Sequence, residues 1–286
     1  MFSPAIGLFI FSLLVAISCG GAPSLAQTSQ NASASGDATQ DLNFRVGNFY
    51  RQGDIADVSR FVSGWVAARA PPYPMIGFVA GVAAKYPDKI DRMFPPELGE
   101  NERRMAVFGV RIGVSTARAE ELARSLGLPE TQLPQPDAAT LDDIRISTPN
   151  IVSLLWGAGF ATGNPRYPQR VLDYYVSVAN RGEIDIDMIV RSLTTMPDYS
   201  PDVITAVQKS QGDLTAWEVA LAAKALWSLE TNAARHDFVK TVVDAYLVAH
   251  PDTPASAGLR RVNEVAEPAR LRCKASPREG GCLNAF

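Results

Sequence analysis

The chain has 286 residues, 47% of them hydrophobic, with 27 basic and 30 acidic side chains and a formal net charge of −3. This length allows one large domain or two small ones. Because the charges nearly balance, the composition argues against a protein that binds nucleic acid or an anionic membrane surface.

The first 26 residues have the pattern of a secretory signal peptide. An apolar run, residues 5–17, precedes small residues and the sequence Ser24-Leu25-Ala26, which fits cleavage before Gln27. The run is too short to cross a bilayer as a helix. The sequence Val15-Ala16-Ile17-Ser18-Cys19 also resembles a lipobox, so lipidation of Cys19 is the alternative. Either outcome predicts an exported protein, in the periplasm or anchored to the outer membrane as a lipoprotein.

Two further segments flank the predicted folded domain, which covers residues 41–268. Residues 27–40 are small and polar, and predict a disordered tether. Residues 269–286 are predicted to form a tail closed by a disulfide between Cys273 and Cys282, because an exported chain with one close pair of cysteines usually oxidises them. Cys19 does not compete for this pairing, since it is either removed or acylated.

The domain itself has helical periodicity almost throughout. Predicted helix starts are Thr148-Pro149, Asn164-Pro165 and Ser200-Pro201, and predicted helix ends are Gly163, Gly182 and Gly212. The predicted helices are, in chain order, residues 55–69, 75–85, 87–94, 97–112, 116–126, 151–162, 165–181, 186–195, 201–211, 215–234 and 237–249. No alternating run typical of a strand has useful length. We therefore predict an all-α fold, either an irregular multi-helix bundle or a helical-hairpin array.

Between the predicted helices 116–126 and 151–162 lies a long stretch without helical periodicity. Residues 129–149 contain four prolines and predict an extended connector. This connector is the best candidate for a boundary between subdomains.

Glycines at four-residue spacing predict close helix crossings. The pairs are Gly77 with Gly81 and Gly109 with Gly113, and Gly157 lies inside an otherwise apolar helix. Membrane association is the alternative for such pairs, but the apolar stretches of the mature chain are too short to span a bilayer. Trp156 and Phe160, on the same apolar helix as Gly157, are predicted to lie in the core.

The sequence contains no recognised catalytic or cofactor-binding motif. It lacks a P-loop, a G-x-S-x-G elbow and a G-x-G-x-x-G turn, so we expect no nucleotide and no other cofactor. The two histidines, His236 and His250, have no cysteines or paired carboxylates at ligand spacing, so we expect no metal site.

One weak candidate for a functional face remains. Ser228, Asn232 and His236 follow one another at intervals of four residues. On one continuous helix, Ser228 and His236 would lie about 12 Å apart, too far for a direct catalytic hydrogen bond. We interpret the three side chains as a polar seam or cap between helices 215–234 and 237–249, with contact to a ligand or partner as the alternative.

Two segments resemble a group of bacterial exported proteins of unassigned function. They are LWGAGFATGNP, residues 155–165, and WSLETNAARH, residues 227–236, and residues 77–88 are similar to the N-terminal part of the same proteins. The resemblance implies an exported helical domain, and it implies no activity.

From these observations we expect an exported all-helical protein of the cell envelope with a structural or partner-binding role. Its partner would be an unidentified protein or other envelope component. The alternative is an envelope hydrolase with an unrecognised carboxylate site. Two or more convergent acidic groups in a groove would favour the hydrolase, and a shallow apolar groove between helices would favour partner binding.

Overall fold

Helices and short turns make up the part of the chain that the computed structural model describes, namely residues 39–129, 140–181, 216–276, 282, 284 and 286. No strand occurs among these residues, which confirms the predicted all-α class. The helices are α1 (39–47), α2 (Phe49–Gln52), α3 (Val58–Ala67), α4 (Pro72–Lys85), α5 (Ile90–Met93), α6 (Glu100–Gly113), α7 (Thr116–Ser125), α8 (Pro149–Thr162), α9 (Arg166–Ala179), α10 (Ala216–Ala233), α11 (Asp237–Ala249) and α12 (Pro254–Ala275).

Most of the predicted helices lie within a few residues of their predicted positions. The predicted helix 87–94 is instead a 3-10 turn, Pro87–Lys89, followed by the single turn α5. Outside the described residues lie the signal peptide with Cys19, residues 27–38 of the predicted tether, residues 130–139 of the predicted connector and the predicted helices 186–195 and 201–211. Helices α1, α2 and α12 were not predicted, and α1 begins at residue 39, inside the predicted tether.

Local sequence signals set the ends of α8. The helix begins at Pro149, after Thr148 in an extended conformation, and ends at Gly163, whose φ of 69° is left-handed. Glycine adopts this conformation without steric cost. At the start of α9 the side chain of Asn164 accepts a hydrogen bond from the backbone N–H of Arg166 at 3.1 Å. Gly163 therefore ends α8 as predicted, whereas Thr148 precedes α8 without a side-chain cap hydrogen bond and α9 begins at Arg166, one residue later than predicted.

The predicted glycine crossings hold α4 against two other helices. A Cβ atom added to Gly77 would fall on the carbonyl oxygen of Leu154 in α8, and one added to Gly157 would fall on the carbonyl oxygen of Pro74 in α4. On α6, a Cβ added to Gly113 would lie 2.3 Å from the carbonyl oxygen of Ala80 in α4, and one added to Gly109 would overlap the side chain of Val79 in α4. Each glycine therefore permits a backbone approach that any side chain would block. Within the described part of the chain, no helix is long and apolar enough to span a membrane.

The same crossings bear on the connector at residues 129–149. Helix α4 precedes this connector and α8 follows it, yet the two pack directly on each other. The residues on both sides of the connector belong to one compact unit. The expected subdomain boundary at this position is therefore not found.

The core is centred on α4 and α8. Trp156 and Phe160 have no solvent exposure and their rings stack with centroids 5.8 Å apart, which confirms their predicted burial. The indole N–H of Trp156 has no hydrogen-bond partner among the described residues. Packing rather than hydrogen bonding therefore holds this side chain in place.

Helix α12 continues beyond the predicted end of the domain at residue 268. Pro268 lies inside this helix, which runs to Ala275. The buried hydrophobic side chains described in α12 are spaced alternately by four and three residues, as expected for one helix face packed on the core. They are Ala255, Leu259, Val262, Ala266, Ala269 and Cys273. Residues 269–275, seven of the 18 residues in the predicted tail, are thus part of a packed helix.

Candidate functional site

The three side chains of the predicted polar face lie around the junction between α10 and α11. Ser228 and Asn232 are fully buried in α10, and His236, which is 1% exposed, occupies the N-cap of α11. Because α10 ends at Ala233, the three residues do not follow one continuous helix face. The Ser228 hydroxyl donates to the carbonyl oxygen of Ala225 in its own helix at 2.8 Å. The carbonyl oxygen of Asn232 accepts the backbone N–H of His236 at 2.9 Å, which links these two residues.

The His236 imidazole has two hydrogen-bond partners, both distant in sequence. Its Nε2 lies 2.6 Å from Oδ1 of Asn284, and its Nδ1 lies 3.2 Å from the hydroxyl of Tyr50. The amide nitrogen of Asn284 donates to the carbonyl oxygen of Asn43 at 2.8 Å, which leaves Oδ1 as the acceptor for His236. His236 therefore carries its proton on Nε2, and its Nδ1 accepts a hydrogen bond from the Tyr50 hydroxyl.

This histidine is neutral near physiological pH. Complete burial lowers the pKa of His236 to about 3, and the hydrogen bond to Asn284 opposes this shift only in part. Burial also raises the pKa of the Tyr50 hydroxyl. The imidazole makes no capping bond to α11, so it does not satisfy free backbone groups as a helix cap would. Its contacts are those of a structural polar centre between α2, α11 and residue 284.

Residues 284 and 286 insert two side chains into the helical body. Asn284, 9% exposed, also receives support from Asn43, whose Oδ1 accepts the backbone N–H of Asn284 at 2.9 Å. The Phe286 ring packs edge-on against Trp65 and Phe160, with centroid distances of 5.3 Å to each. The ammonium group of Lys224 donates to the carbonyl oxygen of Phe286. Partial burial of Lys224 lowers the pKa of this ammonium group to about 8.

The predicted cysteine pair anchors this region to α12. The sulfur atoms of Cys273 and Cys282 lie at disulfide distance, and their Cα atoms are 5.3 Å apart. The two cysteines line an open pocket of about 470 Å³, which Asn284 and Arg51 also line. The pocket therefore gives solvent a route to side chains that are themselves only 9% and 6% exposed.

Two carboxylates lie in this pocket, and both face the same guanidinium group. Arg270 is 2.7 Å from Asp237 and 3.9 Å from Glu267. A hydrolase with two catalytic carboxylates needs both of them directed at the substrate. Here the positive charge of Arg270 occupies the position where the two side chains converge.

A second concave surface is largely apolar. We call it the Arg69 groove: it lies between α3, α4 and α6 and encloses about 390 Å³. Its apolar lining consists of Val66, Ala70, Pro72, Ile76, Met105 and Phe108, with Arg69, Asn101 and Arg104 as its polar residues. Arg104 is held by Glu100 at 2.5 Å, whereas the side chain of Arg69 is exposed to solvent.

Arg69 has an unusual backbone conformation. Its φ is 52°, and among the described residues it is the one non-glycine residue with a positive φ. It follows the end of α3, where Ala70 donates to the carbonyl oxygen of Trp65 at 3.2 Å and the indole of Trp65 donates to Pro71 at 2.7 Å. These bonds fix the turn, so the arginine is held in a conformation that costs an L-residue about 1–2 kcal/mol.

One buried carboxylate escaped the sequence analysis. Glu230 in α10 is 8% exposed, and its Oε2 has no hydrogen-bond partner among the described residues. Burial raises the pKa of Glu230, while the charge of Arg261 acts in the opposite direction. Glu230 lines neither of the two concave surfaces described above. The described residues contain no group of three or more His, Cys, Asp or Glu side chains that could hold a metal ion.

Sequence reasoning found His236 but missed the residues that surround it. Tyr50 is 186 positions and Asn284 is 48 positions from His236 along the chain, so no local spacing connects them. Comparison of the whole chain with known proteins found no matching family model, no matching curated protein and no matching solved structure. The function is therefore argued from the geometry.

Proposed function

We propose that this chain is an exported protein of the cell envelope that binds a partner protein through the Arg69 groove. Export is inferred from the signal-peptide pattern of the first 26 residues. Of the two roles considered from the sequence, partner binding is supported by an open apolar groove between helices. The pocket carboxylates Asp237 and Glu267 engage Arg270, and so give the hydrolase alternative no support.

The conformation of Arg69 is the observation that carries this proposal. Glycine is the residue that a left-handed position after a helix favours, because it avoids the steric cost. Strained backbone conformations of this kind cluster at binding sites, where the side chain has a use that offsets the cost. At Arg69 the strained residue places a positive charge beside the apolar lining.

The chemistry of the groove defines the partner that it fits. An apolar side chain would pack on Ile76, Met105 and Phe108, and a neighbouring carboxylate would pair with Arg69. We therefore propose a partner segment that combines apolar side chains with an adjacent Asp or Glu. The apolar area would supply affinity, and the ion pair would fix the register of the segment.

Site-specific photocrosslinking in the native envelope tests the proposal. Phe108 is replaced by p-benzoylphenylalanine, a conservative change at a half-buried groove position. The matched control carries the same crosslinker in place of Val248, which is 84% exposed in α11 and lies outside the groove. We expect a discrete protein adduct from position 108 and none of the same mass from position 248. Equal adducts from both positions, or none from position 108, would contradict the proposal.

A further inference from the structure

The region around Asn284 and Phe286 has the features of a peptide-binding site that the chain itself fills. We call it the Phe286 groove. It is formed by Asn43, Gly47, Trp65, Phe160, Lys224 and His236. None of these residues belongs to the Arg69 groove, so the inference does not depend on the proposed function.

One half of the groove recognises an asparagine side chain. Both ends of the Asn284 amide are used: Oδ1 accepts from His236 at 2.6 Å, and the nitrogen donates to the backbone carbonyl of Asn43 at 2.8 Å. A Cβ atom added to Gly47 would overlap the amide nitrogen of Asn284, so glycine at this position makes room for it. Aspartate could not donate to Asn43 and leucine could not bond to either partner. The site therefore selects asparagine.

The other half recognises an aromatic ring two positions later. Trp65 and Phe160 meet the ring of Phe286 edge-on, at interplanar angles of 83° and 88°. This arrangement is the one that aromatic pairs favour. Lys224 binds the backbone carbonyl of the same residue, so main chain and side chain are both held.

The disulfide determines how strongly the chain's own segment competes for the groove. With Cys273 and Cys282 joined, Asn284 is two residues from a fixed point, Cys282. Without the bond, the nearest fixed point is Ala275 at the end of α12, nine residues away. The effective concentration of a tethered segment falls as about the 3/2 power of the tether length, so opening the bond lowers it about tenfold.

We propose that the Phe286 groove is a binding site for peptides with the sequence Asn-X-Phe, that Asn284 and Phe286 occupy it while Cys273 and Cys282 are bonded, and that reduction by a dithiol opens it to the same sequence in a partner. In that step a thiolate of the dithiol attacks one cysteine sulfur and breaks the S–S bond. The second thiol of the reductant, as its thiolate, then attacks the reductant sulfur of the mixed disulfide and releases the remaining protein cysteine. Two protein thiols form, and the reductant becomes a disulfide, with two electrons and two protons transferred.

The test uses the full chain and a fluorescein-labelled peptide, Leu-Asn-Ala-Phe, whose binding is followed by fluorescence anisotropy with and without dithiothreitol. We expect the reduced protein to bind up to about tenfold more tightly than the oxidised protein, because the effective concentration of the competing segment falls by that factor. A Cys273→Ser/Cys282→Ser variant should bind as the reduced protein does in both conditions, which separates the loss of the bond from any other effect of the reductant. The control peptide Leu-Ala-Ala-Ala should not bind.

A second variant empties the groove while the disulfide stays in place. Asn284→Ala/Phe286→Ala should bind Leu-Asn-Ala-Phe whether or not dithiothreitol is present. Three results would overturn the proposal: equal affinity of the oxidised and reduced wild-type protein, equal binding of the control peptide, or loss of the helical circular dichroism signal on reduction. The last result counts against it because the proposal requires the helical body to remain folded when the segment leaves.

Discussion

Replacing His236 with glutamine should remove a pH dependence of folding stability that the wild-type chain carries below neutral pH. In the folded protein burial lowers the pKa of this histidine to about 3, from an ordinary value of 6.5. Between these two values the unfolded chain binds a proton that the folded chain does not. Acid therefore favours the unfolded state. The contribution of the neutral His236 to the free energy of unfolding is fully present only above about pH 6.5 and is lost as the pH falls.

The size of the effect follows from the same shift. Each pH unit below 6.5 costs about 1.4 kcal/mol, so the wild-type protein should lose about 2 kcal/mol through His236 between pH 7.5 and pH 5. Protonation would also place a hydrogen on Nδ1, which now accepts from the Tyr50 hydroxyl. No carboxylate among the described residues contributes to the pKa shift of His236, so none stabilises the protonated ring.

Urea unfolding followed by far-UV circular dichroism at pH 7.5, 6 and 5 measures this difference. The wild-type protein and the His236→Gln variant share every other titratable group, so those groups cancel in the comparison. His250→Gln is the matched control, because His250 is the only other histidine and is exposed. It should keep the wild-type pH dependence. If the wild-type protein and His236→Gln lost the same stability between pH 7.5 and 5, the reasoning would be refuted.

Three further predictions concern the packing and the disulfide. Trp156→Ala should cost about 3–5 kcal/mol in urea unfolding, because the side chain is fully buried, and a melting temperature within a degree or two of the parent would contradict this. Gly157→Ala should lower the free energy of unfolding by about 1–3 kcal/mol, because the new Cβ would meet the backbone of Pro74. In the control Gly159→Ala the nearest atom would lie 3.7 Å from the new Cβ, so the stability should be unchanged or rise by up to about 1 kcal/mol. Equal losses in the two variants would refute the helix crossing at Gly157. Denatured protein prepared from the envelope without reductant should contain no free thiol from Cys273 and Cys282, and two titratable thiols would show that the bond is absent. The free energy of unfolding of Cys273→Ser/Cys282→Ser should be about 2.7 kcal/mol lower than that of the parent.

The features that the sequence predicted are those with local signals. Thr148-Pro149 and Gly163 mark the ends of α8 by their own conformational preferences, so no knowledge of the tertiary fold was needed. Gly77 and Gly157 indicated that a neighbouring backbone comes close. They did not indicate that the helices carrying these two glycines, α4 and α8, cross each other. The spacing of residues within one helix carries no information about which helix packs against it.

Helix α12 was missed although its pattern is present in the sequence. Its buried hydrophobic side chains from Ala255 to Cys273 alternate by four and three residues. The many charged residues of this segment and Pro268 in its interior hide that stripe. Most of its buried residues are small, so the hydrophobic contrast between its two faces is weak.

The contacts around His236 and the conformation of Arg69 lie beyond local reasoning for two different physical reasons. Tyr50 and Asn284 reach His236 only through the tertiary fold, across 186 and 48 positions. Arg69 takes a left-handed conformation that sequence rules assign to glycine, so the presence of an arginine does not predict this conformation. Such disagreement between local preference and structure is expected at functional sites.

The most direct test of partner binding through the Arg69 groove uses the Arg69→Gly variant. It measures the yield of the crosslinked adduct from p-benzoylphenylalanine at position 108, and the free energy of unfolding of the same variant is determined alongside. Glycine relieves the left-handed strain, so the variant should be about 1 kcal/mol more stable than the parent. The account predicts that the adduct yield nevertheless falls severalfold, because the charge that pairs with the partner is gone. An unchanged adduct yield in the stabilised variant would contradict the account.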